Sequence, residues 1–430
     1  MLLCVFLVVS ISKMENNLKF SQDFWKIHFD NYQINGLCLK KLSDTGYFSD
    51  DPNVHVLYGD IGKRFFLKNE HFFKPLNTTL FKSFANKNRY PIIMNFIEGE
   101  YHLRFKKDLD NYILNNYIKS FNDYLSIEIP NFWDKLKKTS SRIDLFDEII
   151  EYVIKQQFLF FFNYTLNKEE LHHLSLYEDY FTFGLYLDKL ADLEKYYSFN
   201  EFQKAKNKYD LLFHHFIKDN QPSIFSEFHD SMIAKNYEYN YVFSQFYNIS
   251  IAGSTNIAKS FIYLLCFCED AKLNDTIFNS DLSDLETYIL SGKLLAELYR
   301  LLPYVYNQVV PPFIIREASE DFNLNDEIKV KKGDKIYYYH LLQNISHIID
   351  SPLEFNPFRP DNNYKGKSSP VFGAGLHRCC GASLTDTWLH HLLVGYLKSG
   401  ITLKSENGLQ HTTYNPDFEE IKKVIYLVKA

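Results

Sequence analysis

Cysteine is scarce: Cys4, Cys38, Cys266, Cys268, Cys379 and Cys380 are the only six in 430 residues. Their scatter argues against a disulfide framework and for a reducing compartment. Cys266-x-Cys268 has no matching second pair and lies in an apolar run, so it reads as core, not as a zinc ligand set. Positive charge is short as well. The formal net charge is −6, and no run of Lys and Arg is long enough to track a phosphate backbone, which argues against nucleic acid as a partner. The apolar stretch Met1–Ser12 falls short of the ~20 residues that span a bilayer, so no transmembrane span is expected there. No basic residue precedes it, as a signal peptide requires. Ser10-Ile11-Ser12 still resembles a cleavage site, and Met14 follows at once, so an upstream mis-start is a third reading. Residues 1–13 are set apart as a short apolar segment and residues 14–430 as a single domain, soluble and cytoplasmic. Internal repeats and low-complexity linkers are missing.

What is present describes a globular chain with ample core: 46% hydrophobic and 23% charged residues. The 39 Phe and 32 Tyr fit a large apolar interior, although an AT-rich genome gives the same bias. From Leu18 to about Lys82, turn signals at Asn35-Gly36 and Gly59-Asp60-Ile61-Gly62 predict short strands around a first helix. Gly99 to Asp281 reads as mostly helical. Within it, Tyr239–Cys268 has no proline and a single charge, Lys259, which predicts one long helix through the protein's centre. Asn248, Ser250, Ser254, Thr255 and Asn256 make it too polar to face lipid. A further helix is expected to end at Arg300-Leu301-Leu302, before Pro303. Glu327–Lys332, a Gly333-Asp334 turn and Lys335–His340 read as a β-hairpin. An irregular stretch, Asn344–Pro370, leads to a glycine-punctuated loop and a last helix, Ser383–Leu397.

That loop, Val371-Phe372-Gly373-Ala374-Gly375-Leu376-His377-Arg378-Cys379-Cys380-Gly381-Ala382, delivers cysteine to a helix start. Its glycines permit close backbone approach, Phe372 adds an aromatic face, and the helix N–H groups favour negative charge on sulfur. The layout suits a thiolate beside a large flat cofactor, and on these residues alone either sulfur can ligate. Upstream, Glu297 and Arg300 lie one turn apart on the helix. By themselves they read as a surface ion pair worth a few tenths of a kcal/mol.

Phe372-x-x-Gly375-x-x-x-Cys379-x-Gly381 resembles the haem-binding loop of the cytochrome P-450 family, at the family's position near the C-terminus. Glu297-x-x-Arg300 resembles its Glu-x-x-Arg pair, and Phe355-Asn356-Pro357-Phe358-Arg359-Pro360 the stretch that adds a second arginine, Arg359, in a structural role. The resemblance runs from Leu18 to the C-terminus and is strongest from Ala252 onward. It implies a mainly α fold with small β-sheets and a long central helix over the haem, in a single catalytic domain. It implies haem b (iron protoporphyrin IX), with Cys379 as the axial iron ligand and Cys380 at a variable position. His102 and Lys106, four apart, together with Arg316 and His377, resemble the groups that meet the haem propionates. The family usually has Arg where Lys106 stands, so that contact becomes a point charge instead of a fork.

The departure lies in the central helix. Family members that split dioxygen show Ala/Gly-Gly-x-Asp/Glu-Thr-Thr/Ser there, whose acid and alcohol relay protons. Here Ala252-Gly253-Ser254-Thr255-Asn256 puts Thr255 in the acid position and Asn256 in the alcohol position. Gly253 keeps room above the iron, and Thr255, or Ser254 with ordered water, is left as substitute. The resemblance implies a monooxygenase that inserts one oxygen atom from O2 into a small lipophilic substrate. No flavin or iron–sulfur segment is visible, so an electron-donor protein, ferredoxin or flavin reductase, is the implied partner. The missing acid keeps two alternatives open: a peroxide-using or hydroperoxide-isomerising or dehydrating enzyme, and a non-catalytic haem-binding protein.

Overall fold

The computed structural model describes residues 46–59, 61–62, 73–75, 100–139, 142–186, 199–218, 222–237, 239–273, 277, 282–305, 313–339, 344, 354–360, 370–373, 378–405 and 425–429. The expected first helix before residue 46, the Asn35-Gly36 turn and the segment 1–13 lie outside them. Contacts divide the chain into two compact units, one drawn from Met1–Thr79 and Lys293–Cys379, the other from Leu80–Gly292, Cys380–His411 and Phe418–Ala430.

The first unit holds a five-stranded sheet in the order β1-β2-β8-β5-β3, formed by Tyr47–Asp51, Val54–Leu57, Lys335–Tyr339, Phe313–Ala318 and Phe73–Pro75. All four residues of β2 are buried, as befits a strand that pairs in parallel with β8 inside a covered sheet. The expected Glu327–His340 hairpin does not form. Instead Lys329–Val330 (β7) pairs with Phe322–Asn323 (β6), while β8 joins β2 and β5. The turn between them explains the difference. Buried Asp334 accepts from the Lys331 amide at 2.7 Å and lies 3.0 Å from His55 Nε2 on β2, which ties the turn to the sheet. Ile336 and Tyr338 then pack on Leu57, Ala318 and Val330. At the Gly59 turn signal, Gly62 N–H donates to Tyr58 O at 3.1 Å.

The helix Asp284–Val305 continues past Leu302, contrary to expectation. Pro303 lacks the N–H that would meet the Tyr299 carbonyl. The buried Asn344 amide supplies donors, at 3.5 Å to Tyr299 O and 3.1 Å to Arg300 O, so the last turn survives the proline.

The second unit is helical apart from the antiparallel sheet β4-β10-β9, formed by Arg142–Asp144, Ile425–Lys429 and Thr402–Ser405. Asn116–Thr139 and Ala382–Ser399 lie close together. Trp133 Nε1 donates to Leu392 O at 3.0 Å, and a Cβ on Gly395 would come within 2.6 Å of Ile129 and 2.7 Å of Trp133. Part of the aromatic surplus goes into a core of Phe158, Phe162, Phe213, Phe216, Phe225 and Phe246, contributed by four helices. Cys266 and Cys268 are buried, as expected of core residues, and burial pushes the Cys268 thiol far up.

The expected single central helix is two: Tyr239–Ser250 and Ser254–Asp270. Ile251 and Ala252 both donate to Tyr247 O, at 3.2 and 3.0 Å. Gly253 then turns to φ +86°, a region that excludes most side chains. Ser254 Oγ donates to Ile251 O at 3.0 Å, and Ile257 N to Gly253 O at 2.8 Å restarts the helix.

Two predictions follow from this packing. Gly395→Ala should lower stability by about 1–3 kcal/mol through overpacking, read by thermal or denaturant unfolding. The second concerns His390, whose Nδ1 lies 3.1 Å from Ser291 Oγ. Burial, then the neighbouring His391, lowers its pKa from 6.5 to about 4. The unfolded chain therefore binds the extra proton first as pH falls. Stability should be lost between about pH 6.5 and pH 4, by on the order of 3 kcal/mol, and His390→Gln should flatten unfolding curves across that window.

Candidate functional site

In the first unit, Glu297 and Arg300 are no surface pair: both are fully buried. Arg300 donates to both carboxylate oxygens, Nε to Oε2 at 2.8 Å and Nη2 to Oε1 at 2.6 Å. Glu297 Oε1 also accepts from the Asn356 amide at 2.9 Å and from Arg359 Nε at 3.3 Å. Arg300 Nη2 and Arg359 Nη2 converge on one carbonyl, Glu354 O, each at 2.9 Å. One carboxylate and two guanidinium groups thus clamp Glu354–Arg359 to the helix. Charge-assisted, forked bonds of this kind are the strong ones. Sequence reasoning missed the Glu354 carbonyl, the Asn356 amide and Asn344, because backbone acceptors and amides leave no pattern in a sequence.

Farther along, Pro370–Phe372 forms a 3-10 turn, the chain bends at Gly373 (φ +76°), and Cys379 N–H returns to Phe372 O at 2.7 Å. That bond closes the loop just ahead of its cysteine. Tyr299 meets the half-buried Phe372 ring edge-on at 5.3 Å. Cys379 is exposed and Cys380 is half-buried. Gly375 and His377 lie outside the described residues. Gly381 is the N-cap of Ala382–Ser399, its carbonyl accepting from Thr385 N at 2.8 Å.

In the second unit, the broken helix pair shows one accessible stripe. Among residues 245–268 only Asn248, Ala252, Gly253 and Asn256 are not buried. A Cβ on Gly253 would meet nothing within 4 Å, so the stripe borders open space. Asn256 is on it; Thr255 is not. Thr255 is fully buried, and its Oγ1 has no hydrogen-bond partner among the described residues. Ser254 has its hydroxyl committed to Ile251 O. The alcohol nearest the stripe is therefore occupied and the other faces inward.

His102 is buried and Lys106 half-buried on the helix Glu100–Leu109. This helix is anchored to the turn before Tyr239. Arg104 donates to Lys235 O at 3.2 Å and sits 5.3 Å from the centre of the Tyr237 ring. Asp108 accepts from Lys235 Nζ at 2.9 Å and Tyr237 Oη at 2.7 Å. Burial alone would raise the Asp108 pKa, but these bonds and the adjacent cations outweigh it and lower it. Arg316 is buried on β5 in the first unit. Among the described residues no group of three or more His, Cys, Asp or Glu is placed to hold a metal ion by itself.

No family model matches the sequence, and no curated protein matches it. Solved structures do match. A cytochrome P-450 OleT variant in complex with arachidonic acid is 14% identical, with a TM-score of 0.65 over 94% of each chain. The cyanobacterial CYP120A1 bound to retinoic acid is 17% identical, with a TM-score of 0.62 over 87% of this chain and 89% of its own. A cytochrome P-450 of Sorangium cellulosum is 13% identical, also at 0.62, over 87% and 89%. The chain has the cytochrome P-450 fold.

Removing one partner from the buried clamp should be costly. Glu297→Ala leaves Arg300 uncompensated and should destabilise by about 3–5 kcal/mol. Arg359→Ala, whose side chain is 11% exposed, should cost less. Paired urea unfolding curves of the two variants check the ranking.

Proposed function

We propose that the protein is a haem-thiolate oxidoreductase, with Cys379 as axial ligand of haem b, acting as a monooxygenase on a small lipophilic substrate. One observation supports this above the rest: an exposed Cys379 on an amide-closed loop occurs in the same unit as the buried Glu297–Arg300–Arg359 clamp.

The residues present fit the cofactor. Cys379 is exposed where Cys380 is half-buried, and in the other unit open space lies beside Gly253. By residue type, His102 and Lys106 in one unit, and Arg316 and His377 in the sequence of the other, are donors of the kind that propionates accept from. Haem bound through a thiolate supplies oxygen activation, the sulfur pushing electron density that favours O–O cleavage. The chain's own part is positional. The clamp fixes the segment leading to the loop, and the Cys379 N–H bond to Phe372 O fixes the approach of the cysteine. Asn256 presents an amide on the accessible stripe, able to hydrogen-bond but not to act as an acid. Electrons would come from a separate ferredoxin or flavin reductase.

Residues 14–430 act as one catalytic domain in this reading, and the protein is soluble and cytoplasmic. Gln245–Glu269, counted across the break at Gly253, is long and apolar enough by length and composition to cross a bilayer, but 83% of its most apolar window is buried inside the protein.

A specific observation favours a second reading, a peroxide-using or hydroperoxide-rearranging enzyme. The stripe carries amides and small residues with no carboxylate, and Thr255 and Ser254 are withdrawn from it. Such reactions need no delivered electrons and no acid–alcohol relay.

The reduced, carbon monoxide-bound absorption spectrum tests the cofactor assignment. Wild type and Cys380→Ser should show a thiolate-type Soret band and Cys379→Ser should lose it. An imidazole-type band, or no haem, would overturn the reading. Turnover with a reductase and NAD(P)H then identifies the monooxygenase, and turnover with peroxide alone identifies the alternative. Ligand binding without product under either regime points to a non-catalytic haem protein.

A further inference from the structure

The accessible stripe on the broken helix is built from two small residues and two amides. Asn248, Ala252, Gly253 and Asn256 follow one another at intervals of four, one and three, so the stripe continues across the break. Ala252 and Gly253 set its shape by leaving volume empty. Its chemistry comes from the amides, and none of its four residues is ionisable.

Asn248 is braced from behind. Its Nδ2 donates to Gln245 Oε1 at 3.1 Å, one helical turn earlier. Gln245 is fully buried, and its Nε2 has no hydrogen-bond partner among the described residues. The brace holds the Asn248 amide in one orientation and leaves its carbonyl oxygen and second N–H uncommitted to Gln245. A buried amide with an unmade hydrogen bond is a costly thing to keep in an apolar core. A second amide that depends on it, at a half-buried position on the stripe that borders open space at Gly253, gives that cost a use.

We propose that Asn248, braced by Gln245, is a specificity-determining residue that hydrogen-bonds a neutral polar group of the substrate: a hydroxyl, carbonyl or amide on an otherwise apolar frame. A plain hydrocarbon would leave the Asn248 amide desolvated and unpaired, which is how a polar site rejects an analogue lacking the matching group. A carboxylate or ammonium group would find no countercharge on the stripe. The assignment narrows the substrate class of the site described above, and it rests on the haem-thiolate reading only for its optical readout.

The test uses haem-loaded wild type, Asn248→Leu and Asn248→Ser. The probes are three cycloalkane series, hydrocarbon, alcohol and ketone, with rings of about eight to fifteen carbons to cover small-ligand sites. Affinities come from the Soret shift and, independently of the haem spectrum, from calorimetry. Comparing the alcohol-to-hydrocarbon affinity ratio between proteins cancels the solvation of the probes. Asn248→Leu should lower that ratio about tenfold, the loss of one good hydrogen bond, mainly by weakening the alcohol and ketone. Asn248→Ser, which keeps a hydroxyl, should stay within about threefold of wild type. An unchanged ratio in Asn248→Leu overturns the proposal, and so does a wild type that binds no alcohol or ketone in the series. The carbon monoxide spectrum of the same preparations separates the two levels. A thiolate-type band with an unchanged ratio removes only the role of Asn248. A missing band removes the haem reading, while the calorimetric ratio still decides Asn248.

Discussion

One carboxylate organises the cysteine-bearing unit. Glu297 is fully buried, accepts two donors from Arg300 and one each from Arg359 and the Asn356 amide, and so fixes an irregular segment that has no regular structure of its own. A buried charge is tolerable only if paired and hydrogen-bonded, so the cluster has few alternative arrangements. The Glu354 carbonyl, shared by both arginines, makes the lock two-sided. The same helix reaches Phe372 through Tyr299, whose carbonyl is served by Asn344 where Pro303 cannot serve it.

In the other unit the equivalent constraint is a discontinuity. The helix expected over 239–268 is interrupted at Gly253. The stripe nevertheless runs on across the turn at Gly253: Thr255 is buried, Asn256 lies on the accessible stripe, and Ser254 is used to close the break. The stretch of sequence that departs most from the oxygen-splitting pattern is thus also where the backbone departs from regular helix. Both departures bear on proton supply, and the oxidant is accordingly the open chemical variable of the proposed function.

Much of the candidate site was legible because its parts are local. Glu297 and Arg300 share one helical turn, Phe372 to Cys379 is one loop, and His102 and Lys106 are four apart. Regular spacing in one element places side chains together whatever the rest of the chain does. The errors have the opposite character. The hairpin expected over Glu327–His340 failed because β8 is claimed by β2, nearly three hundred residues away in sequence. The helix end expected at Leu302 failed because Asn344 repairs the proline gap from outside the helix. Apolar periodicity without proline suggested one unbroken central helix, but periodicity does not register a single glycine at positive φ.

The sequence by itself determined the mainly helical class, the cysteine loop and its order relative to the Glu-x-x-Arg helix, and the absence of a carboxylate in the central segment, because these are properties of residue type and short spacing. Tertiary structure decided that the Glu297–Arg300 pair is a buried clamp and not a surface ion pair, that Cys379 is more exposed than Cys380, and that Asn248 and Asn256 share an accessible stripe while Thr255 does not. Those are questions of burial and of which distant groups arrive as partners, and burial is settled only when the whole chain has chosen its contacts.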